Sequence, residues 1–287
     1  MPTTRYCDLA EFGAVAATGP DARSFLQGQF TCDLTQLERH PGQLGAACSP
    51  QGRVLELVRC AATADGVLLV LRRALIPALL ARLPKYILRA RVKLADRSDE
   101  LAIAGLIDGG PPTAWSAATP AAAGLTLLVA SPQRLLLVGP AAAIGSVLAA
   151  VPPATAGEWE CASIRDGEPD LEPRTAGIWI PQMLNLDLLA GLSFTKGCYT
   201  GQEIVARTQH LGRIKRRMLR YTGPAGAAVT AGQMLYSGAA HAGQAVRSAA
   251  DGDGTHLLAV TGLELRSEPL GREPGGTEFV PAALPGL

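Results

Sequence analysis

One short segment concentrates the residues able to do chemistry. Phe194-Thr-Lys-Gly-Cys-Tyr-Thr-Gly-Gln-Glu-Ile-Val-Ala-Arg207 sets Lys196 two residues before Cys198, with Gly197 and Gly201 on either side. Thr200-Gly201-Gln202-Glu203 fits a capping box, in which a Thr hydroxyl caps a helix and the Glu reaches back to the cap's N–H. Glu203 and Arg207 are spaced to pair along that helix, and Gly212 ends it. On this reading Cys198 stands just outside a helix N-terminus with an ammonium nearby, and both favour a thiolate. The flanking glycines permit a tight loop and close approach of a ligand. Each residue also has a plainer role: Glu203 as a cap, Tyr199 as a core ring, Cys198 as an inert buried thiol. The density of the motif, more than any one residue, favours the chemical reading.

The other candidates are weaker. The cysteines are Cys7, Cys32, Cys48, Cys60, Cys161 and Cys198, and no two stand at CxxC spacing. A bound zinc or a stably held cluster is disfavoured by that spacing, so no metal ligands are assigned. Most of these thiols read as small buried apolar residues. A cysteine hydrolase needs a His near Cys198. His40, His210, His241 and His256 are the only histidines, and none has a recognisable context. Asp251-Gly252-Asp253-Gly254 lacks the ligand spacing of a calcium loop and reads as a turn.

The elements that must position this segment can be read in outline. With 287 residues, 48% hydrophobic and 18% charged, the chain has material for about two domains with real cores. Thr18-Gly19-Pro20-Asp21 opens a helix that Gly28 ends, and Ser49-Pro50-Gln51-Gly52 fits a type I turn between two strands. Residues 76–90 show a helical apolar face (Leu79, Leu80, Leu83, Ile87) that Pro84 ends or kinks. Residues 91–96, 101–108, 125–130 and 135–138 read as strands, and 141–151 as a helix. Interleaving of this kind argues α/β or α+β. After Arg213, short apolar runs between glycines read as a small all-β region. We therefore place a boundary between residues 1–212 and 213–287.

Charge limits the partners. The net charge is +1, so no global field draws the chain to nucleic acid or an anionic membrane. From Ile204 to Ala250 there is no acid but seven bases, among them Arg213, Lys215, Arg216, Arg217 and Arg220. A run of this kind usually forms a solvated face or the lining of an anion site, and it lacks an aromatic RNA-binding motif, so direct nucleic-acid binding is disfavoured. Asp8 and Glu11 interrupt any secretory pattern, and Pro111, Pro112 and Pro120 break the long uncharged stretch from Gly110 to Gln133. A cytoplasmic protein without membrane segments is expected.

Lys196-Gly-Cys-Tyr-Thr-Gly-Gln-Glu203 resembles the signature of the YgfZ family of folate-binding proteins, relatives of the glycine-cleavage T-protein (aminomethyltransferase) and of a mitochondrial iron–sulfur assembly factor. Asp21-Ala-Arg-Ser-Phe-Leu-Gln-Gly-Gln-Phe-Thr-Cys-Asp33, Gly52-Arg-Val, Lys85-Tyr-Ile-Leu-Arg-Ala-Arg-Val92 and Ile180-Pro-Gln-Met-Leu-Asn-Leu-Asp187 resemble further blocks, in the family's order, from about residue 12 to about 217. The resemblance implies an α+β fold: a T-protein-like ring of two interlocked α/β subdomains plus a C-terminal β-barrel. It implies tetrahydrofolate or a derivative as cofactor, with aromatic rings against the pterin at Phe12 and Trp159. Trp is usual at the first position, so Phe12 keeps a stacking face but lacks the indole donor. The T-protein's Asp falls at Glu56 or Leu57, and its pterin-reading Glu at or beside Arg165-Asp166. Both departures argue against simple aminomethyl transfer. Strand alternation at Glu56 also suits a solvent-facing side chain.

The resemblance thus implies a folate-binding accessory protein that supports iron–sulfur cluster assembly or repair, with client proteins such as tRNA-thiolating enzymes. Cys198 has a candidate redox or sulfur role beside Lys196, Gly197, Tyr199, Gly201, Gln202 and Glu203. A folate-dependent one-carbon (aminomethyl or methyl) transferase is the alternative, and whether the protein is an enzyme at all stays open.

Overall fold

The structure is a computed structural model that describes residues 4–109, 123–252, 254–284 and 286. The breaks expected at Pro111, Pro112 and Pro120 lie outside the described residues, as does Asp253 of the expected turn. Chain contacts divide the molecule into two units. One holds residues 1–48, 55–159 and 190–200; the other holds 49–54, 160–189 and 201–287.

The first unit contains two antiparallel sheets. One sheet runs β3(Gln43–Cys48), β4(Val54–Thr63), β5(Gly66–Arg72), β2(Phe12–Thr18), β6(Lys93–Asp96). Its central β5 reads Gly-Val-Leu-Leu-Val-Leu-Arg and buries Val67 through Leu71 without alternation, as a strand covered on both faces must. The expected turn before β4 is present: the Gly52 N–H donates to the Ser49 carbonyl at 2.9 Å, with Gly52 at φ +69°. Helix α1(Ala22–Gln27) starts after Asp21 and is closed by Gly28, and it buries Phe25 and Leu26. Helix α2(Ile76–Arg82) passes into a tight turn over Leu83–Tyr86, where Pro84 removes the N–H a longer helix would need.

The second sheet runs β1(Arg5–Asp8), β7(Ala102–Ile107), β9(Arg134–Gly139), β8(Thr126–Ser131). Its two faces are assigned by alternation. Ala104, Leu106, Leu135 and Leu137 meet Ile144 and Leu148 of α3(Ala141–Leu148). Gly105, between Ala104 and Leu106, lies instead against the indole of Trp159. A Cβ there would fall 2.5 Å from the ring, so only glycine fits. Trp159 sits on α4(Ala156–Arg165).

The second unit carries α5(Gln202–Leu211) and a sheet ordered β11(Met234–Ser237), β12(Ala240–Asp251), β13(Gly254–Gly262), β10(Arg216–Gly223), β14(Val280–Ala282). All nine residues of β13 are buried. Its Leu257 and Ala259 pack with Tyr221, Leu235, Leu270 and Phe279 in one apolar cluster. β12 and β13 pair as far as Asp251 and Gly254. Among the described residues, no helix is long and apolar enough to cross a membrane.

Candidate functional site

The residues before Gly201 fold onto the C-terminal end of α1. Lys196 Nζ donates to three backbone carbonyls, of Gln27 and Phe30 at 2.6 Å and Cys32 at 2.7 Å. The Thr200 N–H reaches the Gly28 carbonyl at 3.3 Å. The last carbonyls of a helix lack intrahelical donors and carry partial negative charge, so an ammonium placed there answers both needs. Thr31 ties the same surfaces together: its hydroxyl donates to the Gly191 carbonyl at 2.6 Å and accepts from the Ala46 N–H at 2.9 Å. Burial pushes the Lys196 ammonium down to about 8, against the pull of Cys32 and Asp33. It therefore still carries its proton at neutral pH.

Lys196 thus has a different job from the one its spacing suggested. The ammonium expected to act on Cys198 is committed to three carbonyl oxygens. The capping box expected over Thr200–Glu203 is not formed either. The N-cap of α5 is Gly201 at φ +85°, and no side chain bonds the cap. Gly212 does close α5, as expected. Cys198 itself is exposed, whereas Cys7, Cys32, Cys48, Cys60 and Cys161 are buried. The motif therefore presents one accessible thiol on a loop anchored from beneath.

Tyr199 turns inward. It is 6% exposed, its ring lies 5.4 Å from Lys196 Nζ, and its buried hydroxyl has no hydrogen-bond partner. Burial raises the Tyr199 phenol well above its ordinary range, with the Cys48 thiol adding to the effect. Cys48 is pushed up to about 12 by burial, with opposing influences from Arg82 and Glu56. Glu56 is not solvent-facing as alternation suggested. It is 2% exposed and receives Arg82 Nη2 at 2.6 Å. Burial raises its carboxyl and the guanidinium holds it back. Arg82 Nε and Nη1 are buried with no partner. Sequence reasoning missed Arg82 and Cys48 because nothing in their local spacing marks them. Only the fold brings them, Arg82 from the end of α2 and Cys48 from the end of β3, into the electrostatic neighbourhood of Glu56 and Tyr199.

The two aromatic candidates differ in access. Phe12 is half-buried at the start of β2, with the Arg72 guanidinium 4.5 Å above its ring. Trp159 is 3% exposed, with the Arg134 guanidinium 4.9 Å from its ring. Its helix is fixed by a capping box that spacing alone did not single out. The Thr155 N–H donates to Glu158 Oε2 at 2.8 Å, and the Glu158 N–H donates to Thr155 Oγ1 at 3.2 Å.

No family model matches the chain. It is 33% identical over 236 residues to the tRNA-modifying protein YgfZ of Colwellia psychrerythraea, a match covering 76% of this chain and 71% of that protein. The chain belongs to the YgfZ family. The tRNA-modifying protein YgfZ of Vibrio vulnificus is 34% identical over 237 residues, covering 78% and 71%. Among solved structures, the glycine cleavage system aminomethyltransferase T of Bartonella henselae aligns with 100% of this chain and 87% of its own, at a TM-score of 0.67 and 16% identity. The mixed helix-and-sheet fold of this YgfZ-family chain is therefore aminomethyltransferase-like.

Proposed function

We propose that this chain binds tetrahydrofolate or a derivative and supports the assembly or repair of iron–sulfur clusters, and through them tRNA-modifying enzymes. Family membership and the aminomethyltransferase-like fold support the reading. The observation that carries it is the anchored loop: Lys196 clamps the segment to α1 while Cys198 alone among the six cysteines is exposed. We assign Cys198 the redox or sulfur chemistry and the rings of Phe12 and Trp159 the pterin. In this reading residues 1–212 form the folate-binding region as two interlocked subdomains, residues 213–287 close as a small barrel, and the protein works in the cytoplasm with iron–sulfur clients.

The alternative, one-carbon transfer, needs a free carboxylate beside the folate. Glu56 is tied to Arg82 and its carboxyl is raised by burial, which favours the accessory role over the transferase.

Calorimetric titration of tetrahydrofolate into the full chain tests the binding. The Phe12→Ala substitution, at a half-buried site, is expected to weaken it, by about tenfold if the stacking contact contributes ~1–1.5 kcal/mol. Absence of heat with the wild-type chain would end the folate reading. The downstream role is tested by restoring the activity of a cluster-dependent tRNA-thiolating enzyme in cells lacking the protein. Cys198→Ser is expected to fail there, and full restoration would remove Cys198 from the chemistry.

A further inference from the structure

Cysteine spacing gives no metal motif, yet in the second unit the fold gathers three ligand types from distant positions. Cys161 lies on α4, Asp251 ends β12, and His256 lies on β13. One ligand atom from each lies within 4.8 Å of the others. We propose that Cys161, Asp251 and His256 form a site for one divalent cation of the zinc or ferrous class.

Chemistry and geometry both favour such an ion. One thiolate, one imidazole and one carboxylate form a mixed set that suits borderline metals and not calcium or magnesium. Three protein ligands leave a fourth position for water. Cys161 is wholly buried and His256 is 7% exposed, so protein encloses these two ligands and holds their positions. His256 Nδ1 is buried without a hydrogen-bond partner, and Nε2 lies 3.1 Å from Asp251 Oδ2. The ring is thus held by one nitrogen only, which a well-packed structural histidine avoids. Cys161 cannot serve as the nucleophile of a Cys–His–Asp hydrolase, because no substrate reaches a fully buried sulfur.

A positive charge already stands where the cation would bind. Arg165, one turn beyond Cys161, donates from Nη2 to Asp251 Oδ2 and approaches His256 Nε2 at 3.1 Å. Its side chain is 44% exposed, so it has room to swing toward solvent. Metal entry then exchanges one cation for another. The Cys161 thiol releases its proton to solvent as the metal–sulfur bond forms, Arg165 leaves the carboxylate, and no oxidant or reductant takes part. The site does not depend on folate binding.

Cobalt(II) titration tests this in the full-length Cys198→Ser chain, whose exposed thiol has been removed. One equivalent is expected to produce a thiolate-to-cobalt charge-transfer band and intense tetrahedral d–d bands, both lost on adding zinc. Adding Cys161→Ser should abolish the charge-transfer band, and adding His256→Gln should weaken binding at least about tenfold. Arg165→Gln removes the competing charge and should tighten binding. No thiolate band in the Cys198→Ser chain, or a band that survives Cys161→Ser, overturns the site. If Cys161→Ser does not fold, Arg165→Gln decides: equal or weaker cobalt affinity overturns the proposal.

Discussion

Two part-buried arginine–carboxylate pairs are completed to different degrees. In the second unit, Arg217 grips Asp187 at both ends, Nη1 to Oδ1 at 2.9 Å and Nη2 to Oδ2 at 2.7 Å. Arg217 Nη1 also reaches the Gln182 carbonyl and Asn185 Oδ1 at 3.2 Å, and the Asn185 amide donates to the Met218 carbonyl at 2.7 Å. In the first unit, Arg82 meets Glu56 through one contact and keeps two buried donors unused. A bidentate, networked pair is a fixture of the fold. The Arg82–Glu56 pair, joined through a single bond, is the less completed of the two.

The sharpest way to break that contrast is to change the carboxylate of each pair. Asp187→Ala strands the Arg217 charge among buried carbonyls and is expected to lower the unfolding free energy by about 3–5 kcal/mol. Glu56→Gln keeps an acceptor for Arg82 and sheds a charge that burial already disfavours, so its cost should be about 1 kcal/mol. Urea denaturation of both variants measures the difference. Equal losses would mean that the open pair is as structural as the closed one.

Lys196 comes next. Lys196→Met removes the donor to three carbonyls and is expected to cost about 2 kcal/mol. Its pH dependence has a definite sign. The folded pKa, about 8, lies below the ordinary 10.5. Between these values the unfolded chain holds a proton that the native chain has released. The contribution tied to this shift is full above about 10.5 and is lost as pH falls through about 8. The stability difference between wild type and Lys196→Met should therefore move toward wild type as pH rises from 8 to 10.5. A flat difference would show that Lys196 titrates in the fold as it does in the unfolded chain.

These pairs also mark where the sequence was readable. The ends of α1 and the stop of α2 were legible because Gly19-Pro20, Gly28 and Pro84 act through backbone geometry, which is local. The family signature was legible as a string, but the direction of the Lys196 side chain was not. Its partners are the carbonyls of Gln27, Phe30 and Cys32, more than 160 positions away. Alternation also allowed Glu56 a solvent-facing side chain because it assumes one wet face, whereas β4 is buried without a break from Glu56 to Ala61. Cys161 and His256 gave no metal signal because spacing rules detect ligands close in sequence, and these meet only through packing of α4 on the strands.

The smallest expected effect separates two segments with the same Thr-x-x-Glu spacing. Thr155-x-x-Glu158 and Thr200-x-x-Glu203 both spell a capping box, and only the first has the reciprocal bonds. The reason lies in the residue after each threonine. Ala156 is the first residue of α4, so Thr155 stands at the cap. Gly201 adopts φ +85° and becomes the cap of α5 itself, which displaces Thr200 from the position its hydroxyl would need. Thr155→Ala is accordingly expected to cost about 1 kcal/mol, and Thr200→Ala less than about 0.5 kcal/mol, because the bond of Thr200 to the Gly28 carbonyl comes from its backbone. Thermal denaturation of the two alanine variants resolves this, and a larger loss at Thr200 would restore the capping role its sequence suggested.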